Sequence, residues 1–332
     1  MKKLLLILVL PIFCISQEKY IKNDYVKMDS RIENDNYVID YFFKDHQSIG
    51  HQIKIILHKR RTEDMIEKFG LPYSIFEPYD DTKVDIIKQR RGIIEDGLFL
   101  LDGKKIKKDK KALIEYYKTP TLQIANYIIS YLQSQNNDTR ENRIEMTMKF
   151  VQDIPYAIPK KNKKIYKNEY ITPPEVLIEG YGDCDSKTIL FVCIMSYLIP
   201  EDDIVFVSVP GHIFSAIKDH DSSNKIQSNK RLPQTQQKDD LKQGTYVELN
   251  NEIYFICETA GPGRPNYGQS DNEIKLSYIE KIDLSEVISI PGECYHSNRM
   301  KYIKAEQRLA FEHHSCYIFN PPTIYEMTSP KN

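Results

Sequence analysis

Cys184 is the residue around which chemistry can be organised. It follows a loop with two backbone-permissive residues, Gly180-Tyr181-Gly182-Asp183, and precedes an apolar run that reaches Ile199 before Pro200 stops it. A cysteine at the mouth of such a helix meets unpaired backbone N–H groups and the positive end of the macrodipole. Its thiol pKa is therefore expected to fall below the free value of about 8.5. A thiolate so made attacks carbonyl carbon, and the same backbone N–H groups are candidates to hold the resulting oxyanion. Gly180 and Gly182 are expected to let a substrate backbone come close.

Such a nucleophile needs a base, and the base needs an orienting partner. His212 opens a strand directly after Pro210-Gly211, which puts its ring at a sheet edge, with Phe214 and Ala216 on the same face. Glu258 ends the apolar strand in which Tyr254 and Ile256 share its face. A carboxylate there wants a donor, and His212 would supply one.

The elements that must position these residues are legible in the spacing. Lys111 to Ser134 carries apolar residues at helical intervals, split into two helices by Pro120. A further helix is expected from Asp138 to Val151, stopped by Ile154-Pro155-Tyr156. A short helical turn follows Pro173-Pro174 over Glu175 to Glu179, and the helix begun at Cys184 is apolar on every side, hence central to the core. Strands are expected at Ile204 to Val209 and His212 to Ile217. A hairpin of Thr245 to Leu249 and Ile253 to Glu258 turns at Asn250-Asn251. Lys160 to Lys167 reads as a solvated basic loop, and Lys218 to Gly244 as a long polar one that leaves His220 in water. Ahead of these, Ile53 to Leu57 and Ile94 to Leu101 suggest strands, and Asp102-Gly103 a hairpin turn.

Gly182-Asp183-Cys184-Asp185-Ser186-Lys187 before an apolar helix, Gly211-His212 opening a strand, and Glu258-Thr259 closing the next hairpin resemble the transglutaminase-like superfamily of papain-related thiol enzymes. Ile154-Pro155-Tyr156 is similar to the segment these domains carry ahead of the cysteine. The resemblance covers roughly Tyr127 to Gly268. It implies an α+β fold with a papain-like core, a central helix packed on an antiparallel sheet, and an N-terminal extension. It also implies a triad of Cys184, His212 and Glu258. The family's usual acid is Asp, and its oxyanion-stabilising aromatic is often Trp. This chain has Glu and no Trp, which leaves Tyr156, Tyr181 and Gly182 as oxyanion or substrate-binding candidates.

Length and composition set the frame. The 332 residues are 41% hydrophobic and 28% charged, with a formal net charge of -1, so no global field draws nucleic acid or anionic lipid. Lys2 and Lys3 precede an apolar run from Leu4 to Phe13, with Cys14-Ile15-Ser16 supplying the cleavage-site residues of an export signal at 1–16. The run is shorter than the roughly 20 residues a membrane span needs. A bulky Phe13 argues against lipid anchoring through Cys14. We divide the remainder into an N-terminal module at 17–110, a catalytic-type domain at 111–290 and a C-terminal extension at 291–332. Of the cysteines left after cleavage, Cys193 and Cys257 sit in apolar runs and read as core residues. Cys294 and Cys316 are the natural candidates for a bridge, and Cys184 is left over. His313, His314 and Cys316 are too close together to wrap one ion, and no metal or cofactor is expected.

The resemblance implies a cysteine amide hydrolase of peptidase, isopeptidase or amidase type, working through a thioester. It would be exported from a bacterial cell to the periplasm or medium and would act on a peptide or protein of the envelope. Acyl transfer onto an amine, which cross-links proteins, is the enzymatic alternative. A non-catalytic binding or assembly module is the other.

Overall fold

The computed structural model describes residues 23–73, 92, 97–102, 105–160, 165–167, 170–209, 211–221, 245–261, 263–269, 278–281 and 287–288. The expected export signal with Cys14, Gly103, most of the polar stretch to Gly244, Cys294, Cys316, His313, His314 and the C-terminal extension lie outside the described residues.

The chain opens with an antiparallel three-stranded sheet, β1 (Lys27–Glu33), β2 (Asn36–Lys44) and β3 (Gly50–His58). The first hairpin turns on Asn34 and Asp35, both at positive φ, the geometry that matches the twist of the flanking strands. Along β3 burial alternates strictly, with Ile53, Ile55 and Leu57 inside. The side chain of Gln123 both donates to the carbonyl and accepts from the N–H of Ile56, at 2.8 and 3.1 Å, occupying part of the free strand edge.

Helix α1 (Lys59–Glu67) leads to β4 (Leu71–Pro72), and the hairpin β5 (Phe99–Asp102) and β6 (Lys105–Lys108) to helix α2 (Lys110–Tyr117). The side chain of Asp109 caps α2. Pro120 lies in the tight 119–121 turn that separates α2 from α3 (Leu122–Ser134), as the spacing predicts. Helix α4 (Arg140–Gln152) starts on a Thr139 cap. The described end of the basic run, 165–167, is not a free loop. Ile165–Tyr166, β7, pairs with β4, and the half-buried Lys167 Nζ donates to Glu175 Oε1 at 2.7 Å.

Helix α5 (Pro173–Glu179) begins where Pro at its first position is pre-set for helical φ, and Glu175 accepts from both the N–H and the hydroxyl of Thr172. Helix α6 (Cys184–Met195) follows, with every side chain from Ser186 to Met195 buried. It packs on a six-stranded antiparallel sheet made of β8 (Ile204–Val209), β9 (His212–Lys218), β10 (Tyr246–Leu249), β11 (Glu252–Cys257), β12 (Tyr278–Lys281) and β13 (Val287–Ile288), ordered β10-β11-β9-β8-β12-β13. Asn250 and Asn251 make the β10–β11 turn at positive φ, as their residue types require.

The architecture is mixed α and β with antiparallel sheets. One face of the large sheet, with Ile204, Phe206, Ile213, Ile217 and Cys257, joins α6 in the main core. The other face carries a second cluster built on Val207, Phe214, Ala216, Tyr254 and Ile256. Cys193 and Cys257 are buried free thiols, as their apolar surroundings suggest. Side chains of β1–β3 and of the helices share the main core. Among the described residues no helix is long and apolar enough to cross a membrane.

Candidate active site

Cys184 occupies the first position of α6. Asp183 precedes it as the cap, its Oδ1 accepting from the N–H of Ser186 at 2.9 Å and from its hydroxyl at 2.6 Å. Ser186 Oγ in turn accepts from the N–H of Ile171, which fastens the chain ahead of α5 to the start of α6. The two glycines of the loop have structural reasons of their own, different from the expected clearance for substrate. Gly180 ends α5 in the left-handed conformation at φ 71°. A Cβ on Gly182 would stand 3.2 Å from Lys187 Cγ and 3.3 Å from Ser186 Cβ and Val176 Cγ2.

Helix α6 docks on β9 beside His212, where Thr188 Oγ1 donates to the carbonyl of Ile213 at 3.2 Å. His212 Nε2 lies 2.6 Å from Glu258 Oε2. The register explains the meeting. Ile256 pairs with Ala216 and Cys257 with Ser215, so Glu258, one step on, is a diagonal neighbour of His212 on the same face. A carboxylate only accepts, so Nε2 carries the proton and the neutral ring presents Nδ1 as its basic nitrogen. Glu258 is itself held at two other atoms: its Oε1 accepts from the N–H of Ala260 at 2.9 Å, and its carbonyl from Gln152 Nε2 at 2.7 Å.

Tyr156 stands with this group. It bridges to Gly182 in parallel, with the N–H of Gly182 donating to Pro155 O and that of Ala157 to Gly182 O, at 3.1 and 3.2 Å. Burial pushes its phenol up, and the charges of Cys184, Asp183, Asp185 and Glu258 push it the same way, so it stays a neutral donor. Tyr181 is half-buried against the main core, as Cys184 is, and after burial the groups that act on its phenol are Glu179 and Glu175.

The thiol departs from expectation. Burial pushes the Cys184 pKa well above its ordinary value, and Asp185 and Asp183 add to the rise; the backbone N–H groups of Ile213 and Asp185 oppose it without prevailing. The helix terminus alone favours the anion, but two carboxylates adjoin the sulfur in sequence and desolvation outweighs the amides. Burial also pushes the His212 ring down, yet the hydrogen bond and charge of Glu258, with Asp185, raise it above its usual value. Burial likewise raises Asp183. It would raise Asp185 too, but Lys108 Nζ lies 2.6 Å from its Oδ2 and, with Lys110 and His212, holds that carboxyl below its ordinary value. The thiol of Cys184 is thus raised above its ordinary value, and the ring of His212, held by Glu258, is raised above its own.

Three residues around this group were given no role by the sequence. Lys108 comes from β6, far away in sequence. Gln152 ends α4 and reaches the Glu258 carbonyl. Lys187 is wholly buried in an otherwise apolar helix, and its Nζ donates to the carbonyls of Ile154, Ala260 and Gln152 at 2.7, 2.9 and 3.3 Å. A charged residue at the head of a helix apolar on every side is the signal that marks it. His220 is exposed, as expected, and lies 2.8 Å from Asp203 Oδ2. Among the described residues no group of three or more His, Cys, Asp or Glu side chains is arranged to hold a metal ion.

Comparison with family models, curated proteins and solved structures finds no match.

Proposed function

We propose that the protein is a cysteine amide hydrolase of transglutaminase-like, papain-related type, with Cys184 as nucleophile, His212 as base and Glu258 as the residue that orients it. The observation that carries the reading is the 2.6 Å bond between His212 Nε2 and Glu258 Oε2 beside the strand on which the Cys184 helix docks. It fixes the tautomer whose Nδ1 takes a proton.

In the proposed reaction neutral His212 removes the Cys184 proton as sulfur bonds to the amide carbonyl carbon. The oxyanion of the tetrahedral intermediate is met by backbone N–H groups near Gly182 and by the neutral Tyr156 hydroxyl. The C–N bond then breaks, and the leaving amine takes its proton from His212. Water, deprotonated by His212, cleaves the thioester and restores the thiol. With Lys2, Lys3 and the apolar run Leu4 to Phe13 read as an export signal, the substrate is a peptide or protein amide of the bacterial envelope.

The raised thiol pKa favours a second reading, a binding or assembly module with this fold and no catalysis. The pH dependence of Cys184 alkylation by iodoacetamide separates the two. An enzyme gives a rate that climbs through the pKa of His212, and His212→Ala removes that limb and slows the reaction by roughly 100-fold or more. Equal profiles for the two proteins would leave the binding module. A glutamine peptide with a primary amine then distinguishes released ammonia alone, expected of the hydrolase, from an amine adduct.

A further inference from the structure

Lys187 lies one helical turn inward from Cys184 and is fully buried. Each carbonyl it reaches belongs to a segment that carries part of the proposed site. The carbonyls of Gln152 and Ile154 stand at the entry to the Pro155-Tyr156 segment, which bridges to Gly182. The third is that of Ala260, whose own N–H holds Glu258 Oε1. Gln152 closes the ring by donating from its side chain to the Glu258 carbonyl.

We infer that Lys187 is a positioning residue, its Nζ binding the segments that present Tyr156 and Glu258 to the helix that presents Cys184. This inference rests on the thiol-enzyme reading. The geometry suits the task, because one Nζ donates to three carbonyls converging from two segments. Burial draws the amine down to about 7 while Glu258 and Asp153 raise it, so the group that holds the acid's loop also senses the acid's charge. A plug needed only for packing would be apolar, since replacing a buried charge with a hydrophobe of similar volume is often neutral or stabilising.

Lys187→Met keeps the volume and removes the donors. In the full chain, with alkylation at Cys184 quantified by peptide mass spectrometry, we expect cooperative unfolding to be retained. We expect the His212-dependent limb of the pH profile to fall by roughly 10- to 100-fold, the loss that follows small misplacements of reacting groups. Lys149→Met is the control. Lys149 is also buried and donates to the carbonyls of Arg264 and Pro265, at 2.8 and 2.9 Å, and its loss should leave the limb in place. Where Lys187→Met does not fold, Lys187→Gln, which keeps an amide donor, carries the same comparison. A folded Lys187 variant with the limb intact overturns the positioning role. So does an equal loss in Lys149→Met, and so does failure of both Lys187 variants to fold. A wild-type profile that His212→Ala leaves unchanged overturns the enzyme reading itself, and the positioning role with it.

Discussion

A sulfur flanked by Asp183 and Asp185 is a poor anion until a base takes its proton, and the surrounding charges set how readily that happens. Glu258 raises the His212 pKa against the pull of burial, so removing its charge must lower it. Glu258→Gln is expected to move the His212 titration, followed by NMR of the ring protons, from above to below about 6.5. The linkage has a definite sign. A histidine whose pKa is raised by folding adds stability that is fully present below its unfolded value of about 6.5 and is lost as pH rises through the folded value. The stability gap between wild type and Glu258→Gln should therefore narrow between pH 6 and pH 8; a gap that widens there would contradict the pairing. Lys108 acts on the same sulfur through Asp185. Lys108→Met removes the largest positive charge acting on that carboxylate beside Cys184 and should slow alkylation severalfold at pH 8, less so in high salt. The pairing of His212 with Glu258 was legible, because both fall near the ends of their strands and share one face. The thiol's pKa was not. Asp183 and Asp185 were visible beside it, but desolvation depends on what packs over the loop, and Lys108 comes from a distant hairpin.

At the scale of elements, periodicity and turn chemistry carried most of the information. The Pro120 break, the strands of β8 and β9, and the Asn250-Asn251 hairpin follow from local rules that tertiary packing had no reason to override. The strands of the N-terminal sheet were harder to see. In β2, Ile39, Tyr41 and Phe43 alternate into the core, but Val38 and Phe42 put apolar side chains on the other face too, which blurs the pattern in the sequence. The loop glycines have structural reasons that the sequence did not reveal: Gly180 terminates α5, and the absence of a Cβ on Gly182 admits the Lys187 and Val176 side chains. The cap of α6 joins stability to reactivity. Asp183→Ala deletes the acceptor of the Ser186 N–H and should cost about 1 kcal/mol in urea unfolding. The same change removes one of the carboxylates that raise the thiol pKa, so the surviving folded protein should alkylate faster at pH 7. Loss of stability with no gain in rate would place Asp183's charge outside the tuning of the sulfur.

For the molecule as a whole, the decisive matter is how residues before 111 relate to those after. Asp153, fully buried at the end of α4, accepts from Asn23 Nδ2, Tyr25 OH and the N–H of Lys44, and lies 2.8 Å from Arg264 Nε. One carboxylate thus ties the N-terminal sheet, the helix leading to Tyr156 and the loop after Glu258. Further hydrogen bonds span the same seam, from Tyr41 OH to the Phe150 carbonyl at 2.8 Å and from Tyr117 OH to that of Met65 at 2.9 Å. Asp153→Ala leaves Arg264 without its ion partner and should destabilise the chain by about 3 kcal/mol. Deleting 23–73 is the stronger test. It removes Tyr41, Phe43, Ile53, Ile55, Leu57, Met65 and Phe69 from the shared core, all of them buried. At about 1.5–3 kcal/mol for each large apolar side chain, that loss is of the order of 10–20 kcal/mol, against a total stability of about 5–15 kcal/mol for a typical domain. The chain lacking 23–73 is therefore expected to lack a cooperative thermal transition and to bind hydrophobic dyes. Cooperative melting of that fragment near the temperature of the full chain would mean that the N-terminal sheet is an accessory, and that the helices around Cys184 hold their geometry without it.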